Sequence, residues 1–279
     1  MRARERWLAV LTYVILIIYV FMTLSPLAWM MLISIKPKSD LWQDPPVIIP
    51  SAPTTKNYVL AFKELGVGSN LLNSLKIALG SMLVSIPVST LAAYGFARWT
   101  FKARTFLLIL ILGTQMIPGM ASLVPLFSIL QSLQLLDTYV GLILVFAAQT
   151  IPLNIWILKG FFEAIPGEVM DAASVDGCTP TDVLYRVVLP LAKPGFAAAA
   201  LFTVMRSWND FVVALTMLFS DHKMTFPPSL YKLYGSPIMA TNYGAMFAAA
   251  TGGAIPIILL FVLFQRYFIR GLTAGAVKE

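Results

Sequence analysis

The residues of this chain able to do chemistry are few, and they fall in three places. A polar segment, Glu163 to Pro190, lies between two apolar runs and carries Asp171 and Asp182. Arg206, Asn209 and Asp210 sit inside another apolar run. Arg206 and Asp210 have helical i,i+4 spacing, so they share a face and can pair. The third set is amides: Gln115 near Pro118, and Gln149 and Asn154 flanking Pro152. None of these is a nucleophile beside a base. The single cysteine, Cys178, and the single histidine, His222, rule out an internal disulfide and a His/Cys metal cluster. No G-x-x-x-x-G-K-[ST] occurs, so the chain cannot hydrolyse ATP itself. These residues suit recognition and movement by contact, and neither an enzyme nor a resident cofactor is expected.

The 163–190 segment is not written as a simple surface loop. Pro166 suits a helix start, since its missing N–H would go unused in the first turn. Gly177 suits a helix stop, because it takes the left-handed conformation at little cost. Thr179, Pro180 and Asp182 then spell a second start with capping-box spacing. Leu184, Val187, Val188 and Leu191 follow at i, i+3, i+4, i+7, one apolar stripe on the second helix. Ala172 and Ala173 leave room for another surface to approach the first helix closely. The expectation is a helix, a tight glycine turn and an amphipathic helix, together forming a docking element.

The same residues resemble the EAA loop of importer-type ABC transporter permeases. That pattern is acidic-Ala-Ala, three residues, Gly, nine residues, aliphatic-x-Leu-Pro. Here it reads Asp171-Ala172-Ala173, Gly177 and Val187-x-Leu189-Pro190, with every interval kept. Asp replaces the usual Glu and Val the usual Ile.

The elements that must position these residues are membrane spans. The chain has 279 residues, 58% of them hydrophobic and 12% charged, with a mean hydropathy of +0.81, which excludes an ordinary soluble domain. A net charge of +7 can suggest nucleic acid, but the cations stand at the ends of apolar runs without interleaved aromatics. Six runs are long enough to cross a bilayer: 8–34, 70–96, 105–130, 138–160, 195–219 and 244–266. The first follows Arg2, Arg4 and Arg6; it is longer than a signal-peptide core and ends in no small-x-small site, so it reads as a retained span. Cations at the N-terminus, in 97–104 (Arg98, Lys102, Arg104), around 160–194 (Lys159, Arg186, Lys193) and in the tail (Arg266, Arg270, Lys278) outnumber those of the alternate segments. The latter hold Lys36, Lys38, Lys56, Lys63, Lys223 and Lys232. This excess places both termini and the 163–190 loop in the cytoplasm.

Proline-rich 36–69 is expected to run extended on the outer side. The outer loop 220–243 carries Phe226, Tyr231, Tyr234 and Tyr243, which fit either an interfacial belt or contact with an external protein. Lys76 fits a snorkelling role. Prolines 26, 87, 118, 125, 152 and 256 mark kinks, tolerated where neighbours satisfy the freed carbonyls. Two readings of the amides Gln115, Gln149 and Asn154 stand: a solute pathway or interhelical hydrogen bonding. Two also stand for Arg206 and Asp210, with Asn209 beside them: a buried structural pair or a translocation role.

After the last run, Gln265-Arg266, Gly271-Leu272-Thr273-Ala274-Gly275 and Val277-Lys278 resemble the end of the MalG subfamily of sugar importer permeases. Pro50 to Tyr58 and Trp208-Asn209-Asp210 resemble the same subfamily. The resemblance implies an all-α, polytopic inner-membrane protein with six transmembrane helices and a cytoplasmic helix-turn-helix coupling loop. It divides the chain into a first helix and outer loop (1–69), a transmembrane domain (70–266) and a tail (267–279). It implies four kinds of partner: a homologous permease, two ATPase copies holding ATP and magnesium, an external solute-binding protein, and lipid. Asp171, Ala172, Ala173, Gly177, Leu189 and Pro190 would meet an ATPase cleft, and Gly271, Leu272, Thr273 and Gly275 would reach between the ATPases. The transported solute would be a di- or oligosaccharide or a related sugar. A stand-alone ion-coupled secondary transporter is the alternative; it leaves the docking loop unexplained, and no inverted repeat is found.

Overall fold

The computed structural model describes residues 2–234 and 242–276, and all regular structure among them is helical. The chain divides into two compact units. One takes in the chain as far as Gly68 with Leu230–Ile255, the other Ser69–Ser229 with the chain from Pro256 on.

In the first unit, α1 (Arg2–Ser34) is one continuous helix through Pro26. Its most apolar stretch buries nothing within the chain, Trp7, Tyr13, Phe21 and Met22 stand exposed, and only its C-terminal end, at Ser34, is covered. A helix apolar all round needs lipid or another helix around it. The chain after α1 is folded back on its end. Asn57 Nδ2 donates to the carbonyls of Ser34 (2.9 Å) and Lys36 (2.8 Å), and Asp40 accepts from the Ser51 N–H at 2.8 Å. That N–H, helped by the Ser51 and Ser39 hydroxyls and Lys36, holds the Asp40 carboxyl below the usual range against the opposing effect of burial. The extended course expected for 36–69 is therefore only partly seen. Beyond Pro53 no proline interrupts the chain, and α2 winds over Lys56–Val59 and continues as a wider turn through Leu60–Glu64.

The second unit is organised by α3 (Val67–Arg98) and α6 (Tyr139–Glu163), both long and apolar enough to cross a membrane. The run expected as one span at 105–130 is instead two short helices, α4 (Arg104–Gly113) and α5 (Leu123–Ser132). Pro118 and Gly119 lie in the break, where a proline forbids the helical bond of its own nitrogen. Next come α7 (Gly167–Val175), α8 (Pro180–Leu191), α9 (Lys193–Trp208) and α10 (Val212–Met217). The 220–243 loop contains a further helix, α11 (Phe226–Tyr234), and α12 (Tyr243–Ala276) runs unbroken into the stretch expected as a tail. Among the described residues, four helices are long and apolar enough to cross a membrane, or five if α8 and α9, bent by 79°, count as one.

Two apolar cores hold this unit. The first packs Tyr94, Ile155, Leu158 and Phe162 of α3 and α6 against Val183, Leu184 and Val188 of α8. The second joins Ile77, Leu130, Leu142 and Phe146 to Met217 and Leu218. A polar clasp closes the second core. Asp137 Oδ1 accepts from the N–H groups of Phe219 (2.9 Å) and Ser220 (3.0 Å), and Oδ2 accepts from Ser220 Oγ (2.6 Å) and Lys223 Nζ (3.0 Å). Burial pushes this carboxyl up, but the bonds from Ser220, Lys223 and Phe219 outweigh it and hold the group far below the ordinary range. Nearby, α6 starts so close to the preceding turn that a Cβ on Gly141 would lie 2.3 Å from the Leu135 carbonyl oxygen.

Two outcomes follow for this corner. Gly141→Ala should lower thermal stability by about 1–3 kcal/mol, since the clash is with backbone that must shift. Because the native Asp137 pKa is depressed, its contribution is complete above the unfolded value near about pH 4 and is lost only as pH falls through the lower folded value. The melting-temperature difference between wild type and Asp137→Asn should therefore be flat between about pH 5 and pH 8.

Candidate functional site

The 163–190 segment folds as a helix, a glycine turn and a second helix. Pro166 is the cap residue ahead of α7, with extended ψ, and Gly167 begins the helix. Gly177 ends the turn at φ +86°, where any Cβ would be strained although it would meet no neighbour. Cys178 N–H closes on the Ala173 carbonyl at 3.0 Å, which satisfies one of the carbonyls left over at a helix end. Thr179 and Asp182 form a full capping box: Asp182 N–H donates to Thr179 Oγ1 (3.2 Å) and Thr179 N–H to Asp182 Oδ2 (3.1 Å). Thr179's hydroxyl and N–H, with Arg186 adding charge, lower the Asp182 pKa.

The stripe expected on the second helix needs correction at one end. Leu184 and Val188 are buried and Val187 half-buried, but Leu191 is 55% exposed, and Val183 and Ala192 are buried instead. A wide i→i+5 turn over Leu184–Val188 is the cause. It adds one residue to the turn and rotates Leu191 off the stripe. Leu189 packs at the edge of the core and Pro190 is exposed.

α7 is the opposite case, with no buried residue. Ala173 packs against the core, whereas Ala172, Val169 and Val175 face outward, Val175 at 87% exposure. Asp171 is engaged within the chain: Arg98 Nη2 at the end of α3 donates to its Oδ1 at 2.6 Å. One turn earlier on α3, the Tyr94 hydroxyl donates to the Pro180 carbonyl at 3.1 Å. Glu163 draws in Arg104 and, at 2.6 Å, Lys159. Sequence reasoning assigned no role to Tyr94, and used Arg98, Arg104 and Lys159 only as topology markers. The i,i+4 spacing of Tyr94 and Arg98 was the available signal, but their partners lie far along the chain.

The pathway candidates are not brought into one place by the contacts they make. Gln115 is exposed, and its Nε2 donates to the Gln149 carbonyl at 3.2 Å; the Gln149 Oε1 is buried without a partner. Asn154 is fully buried, and its Nδ2 donates to Thr203 Oγ1 at 2.8 Å, with Ser85 Oγ at 3.5 Å, so it ties α3, α6 and α9 together. Arg206 Nη1 donates to Asp210 Oδ2 at 2.9 Å. The two do not share one helix, because α9 stops at Trp208. Asp210 Oδ1 accepts instead from the N–H groups of Val213 (3.0 Å) and Ala214 (3.1 Å), capping α10. Exposed Asn209 donates to the Met205 carbonyl at 2.9 Å and closes the end of α9. Gly271, Leu272, Thr273 and Gly275 lie on the last turns of α12, where side chains are outside the described residues, as are 277–279 altogether. Among the described residues, no cluster of His, Cys, Asp or Glu suits a metal.

A family model described as binding-protein-dependent transport system inner membrane component matches residues 85–274. The chain belongs to this family. Among relatives of this permease, a probable ABC transporter permease protein, YurM of Bacillus subtilis (strain 168), is 35% identical over 99% of this chain and 92% of its own length. The trehalose transport system permease protein SugB of Mycobacterium tuberculosis is 35% identical over 91% of this chain and 92% of its own. The sulfoquinovosyl glycerol transport system permease protein SmoH of Agrobacterium fabrum is 35% identical over 91% and 89%. Of solved structures, a chain of a bacterial ABC transporter that imports the acidic polysaccharide alginate shares the fold, with a TM-score of 0.83, 22% identity, and coverage of 95% of this chain and 97% of that one. The permease is thus a multi-pass membrane subunit and not itself an enzyme.

The Asp210 geometry separates two contributions. Asp210→Ala removes the α10 cap and should cost about 0.5–2 kcal/mol. Arg206→Ala leaves both backbone donors on Asp210 and should cost about 0.2–1 kcal/mol. The double alanine variant should be about as destabilised as Asp210→Ala alone, and Asp210→Asn should retain most of the stability. Thermal melts of the detergent-solubilised complex read all four.

Proposed function

We propose that this chain is one of two permease subunits of an ATP-driven importer, moving a carbohydrate delivered by a solute-binding protein across the cytoplasmic membrane. The observation that carries the reading is the helix pair at 167–191, exposed along α7 and anchored in the core through Val183, Leu184 and Val188 of α8. A surface element rigidly rooted beneath its exposed face is what a partner needs in order to push on the spans. Relatives whose names specify trehalose, sulfoquinovosyl glycerol, arabinooligosaccharides and galactooligosaccharides support a di- or oligosaccharide or related sugar as the solute.

In this reading the chain crosses the membrane six times with both termini in the cytoplasm, the third span being α4 and α5 with their break and the fifth α9 and α10. Residues 1–69, 70–266 and 267–279 act as first span with outer loop, translocation domain and tail. Asp171, Ala172, Ala173, Gly177, Leu189 and Pro190 form the docking loop for one of two ATPase subunits, which bind ATP and magnesium. Gly271, Leu272, Thr273 and Gly275 extend toward the ATPases, and a second permease covers α1. Gln115, Gln149 and the exposed Arg206 and Asn209 are the pathway residues of this subunit, while Asn154 and Asp210 hold its helices. Closure of the ATPases on ATP shifts the docked loop and biases the bundle between outward and inward access.

Co-expression with the second permease and the ATPase provides the test. Gly177→Val places a β-branched residue at positive φ, at a cost of about 1–2 kcal/mol confined to the turn. Since its side chain meets no neighbour, insertion should survive while solute-stimulated ATP hydrolysis or assembly is lost. Uptake and stimulation at wild-type levels in Gly177→Val and Asp171→Lys would contradict the docking reading. Uptake assays across a panel of oligosaccharides should show saturable, ATP-dependent transport of one of them.

A further inference from the structure

Helix α3 is fastened at both ends to segments that, in the reading above, face opposite sides of the membrane. At its C-terminal end, one turn holds both halves of the docking loop: Tyr94 bonds to Pro180 at the start of α8, and Arg98 bonds to Asp171 on α7. α7 has no fully buried residue, although Met170 and Ala173 pack against the core, and the Arg98 contact adds a direct polar tie between it and α3. At the N-terminal end, Asn73 Nδ2 donates to the carbonyls of His222 (2.9 Å) and Met224 (3.1 Å), and its Oδ1 accepts from the Tyr139 hydroxyl at 2.8 Å. Beside it, Ser74 Oγ accepts from the Phe226 N–H at 2.8 Å. Between these ends α3 is continuous for 32 residues, roughly 48 Å at the helical rise, and it passes through Pro87 without a break. Ser81, Ser85 and Ser89, all buried, line one face at four-residue spacing and keep it close-packed along its length.

We propose that α3 is the strut that couples the two faces of the importer, with Tyr94 and Arg98 as positioning residues at the ATPase end and Asn73 and Ser74 at the outer end. The proposal rests on the 163–190 loop being the ATPase docking element and on 220–243 facing outward. A displacement of the docked α7–α8 pair is passed to α3 through two polar contacts and the Val183–Leu184–Val188 core. It reaches the 222–226 segment through the Asn73 and Ser74 bonds. That segment is also held by Asp137 through Ser220 and Lys223, so a solute-binding protein pressing on it works against a defined seat. Arg98 is partly exposed and Asp171 largely so. A pair of that kind adds little stability, so its effect belongs in coupling rather than in folding.

The test uses the reconstituted complex with its ATPases and liganded binding protein, and reads the ratio of stimulated to basal ATP hydrolysis per assembled complex. Arg98→Gln and Tyr94→Phe, which removes only an oxygen from the core, should assemble but lose roughly three- to thirty-fold of that ratio. Arg98→Lys should recover much of it, because a cation can still reach Asp171. Asn73→Ala at the other end should lower the same ratio. If both ends act on one strut, the Arg98→Gln/Asn73→Ala double variant should be no worse than the weaker single one. If they act independently, the two losses should multiply, and that result overturns the proposal. An unchanged ratio in both Tyr94→Phe and Arg98→Gln, with Gly177→Val still uncoupled, would sink the strut and leave the docking reading standing. A normal ratio in Gly177→Val as well would remove the docking reading itself.

Discussion

The burial of Val183, Leu184 and Val188 beneath α3 and α6 is the contact on which the other features of the 163–190 segment depend. Each such side chain contributes about 1.5–3 kcal/mol when taken out of water. That is enough to fix α8 on the second unit while α7 has no comparable anchor. With α8 held there, α9 leaves it through a 79° bend, and Gly177 turns the chain between α7 and α8 at positive φ. The exposed edge of Val169, Ala172 and Val175 is a consequence of the same arrangement. Together they leave a small apolar edge open to contact by another surface.

The spans show the same dependence on surroundings. α1 presents apolar side chains on every side and is covered within the chain only at its C-terminal end, so its stability is a property of the bilayer and its neighbours. Inside the second unit, several polar groups serve helix ends or contacts between helices. Asn154 with Thr203 and Ser85 is one such contact. Asp210 is another: it replaces a missing helical turn between α9 and α10 with two backbone bonds and an arginine. The breaks at 114–122 and 209–211 have local partners for part of their backbone: Ile117 N–H donates to the Thr114 carbonyl, and Asp210 accepts from Val213 and Ala214.

Much of this was legible in the residues. Thr179, Asp182 and Gly177 specify their cap and turn through local rules, and the structure reproduces them atom by atom. The apolar runs gave the long helices because a bilayer leaves few alternatives. What failed was register and continuity. The wide turn at Leu184–Val188 moved Leu191 into solvent, and no local signal in L-Y-R-V-V announces a π-turn. The run at 105–130 is apolar enough to read as one span, yet it is divided at Pro118 and Gly119, whereas prolines in α1, α3, α6 and α12 do not divide their helices. Tyr94, Arg98 and Asp137 went unassigned for a different reason. Their partners are more than seventy residues away, and a single sequence holds no record of which distant groups meet.

The most direct measurement of the central claim is a photocrosslink from the docking helix in the assembled importer. A photoreactive residue at Val175, which is 87% exposed, should form a covalent adduct with an ATPase subunit, and the yield should change when ATP is added. The same probe at Val188, which is fully buried, should give no adduct with the ATPase. An ATPase that copurifies with the permease yet never crosslinks to Val175, in the presence or absence of ATP, would contradict the assignment of 163–190 as its docking site.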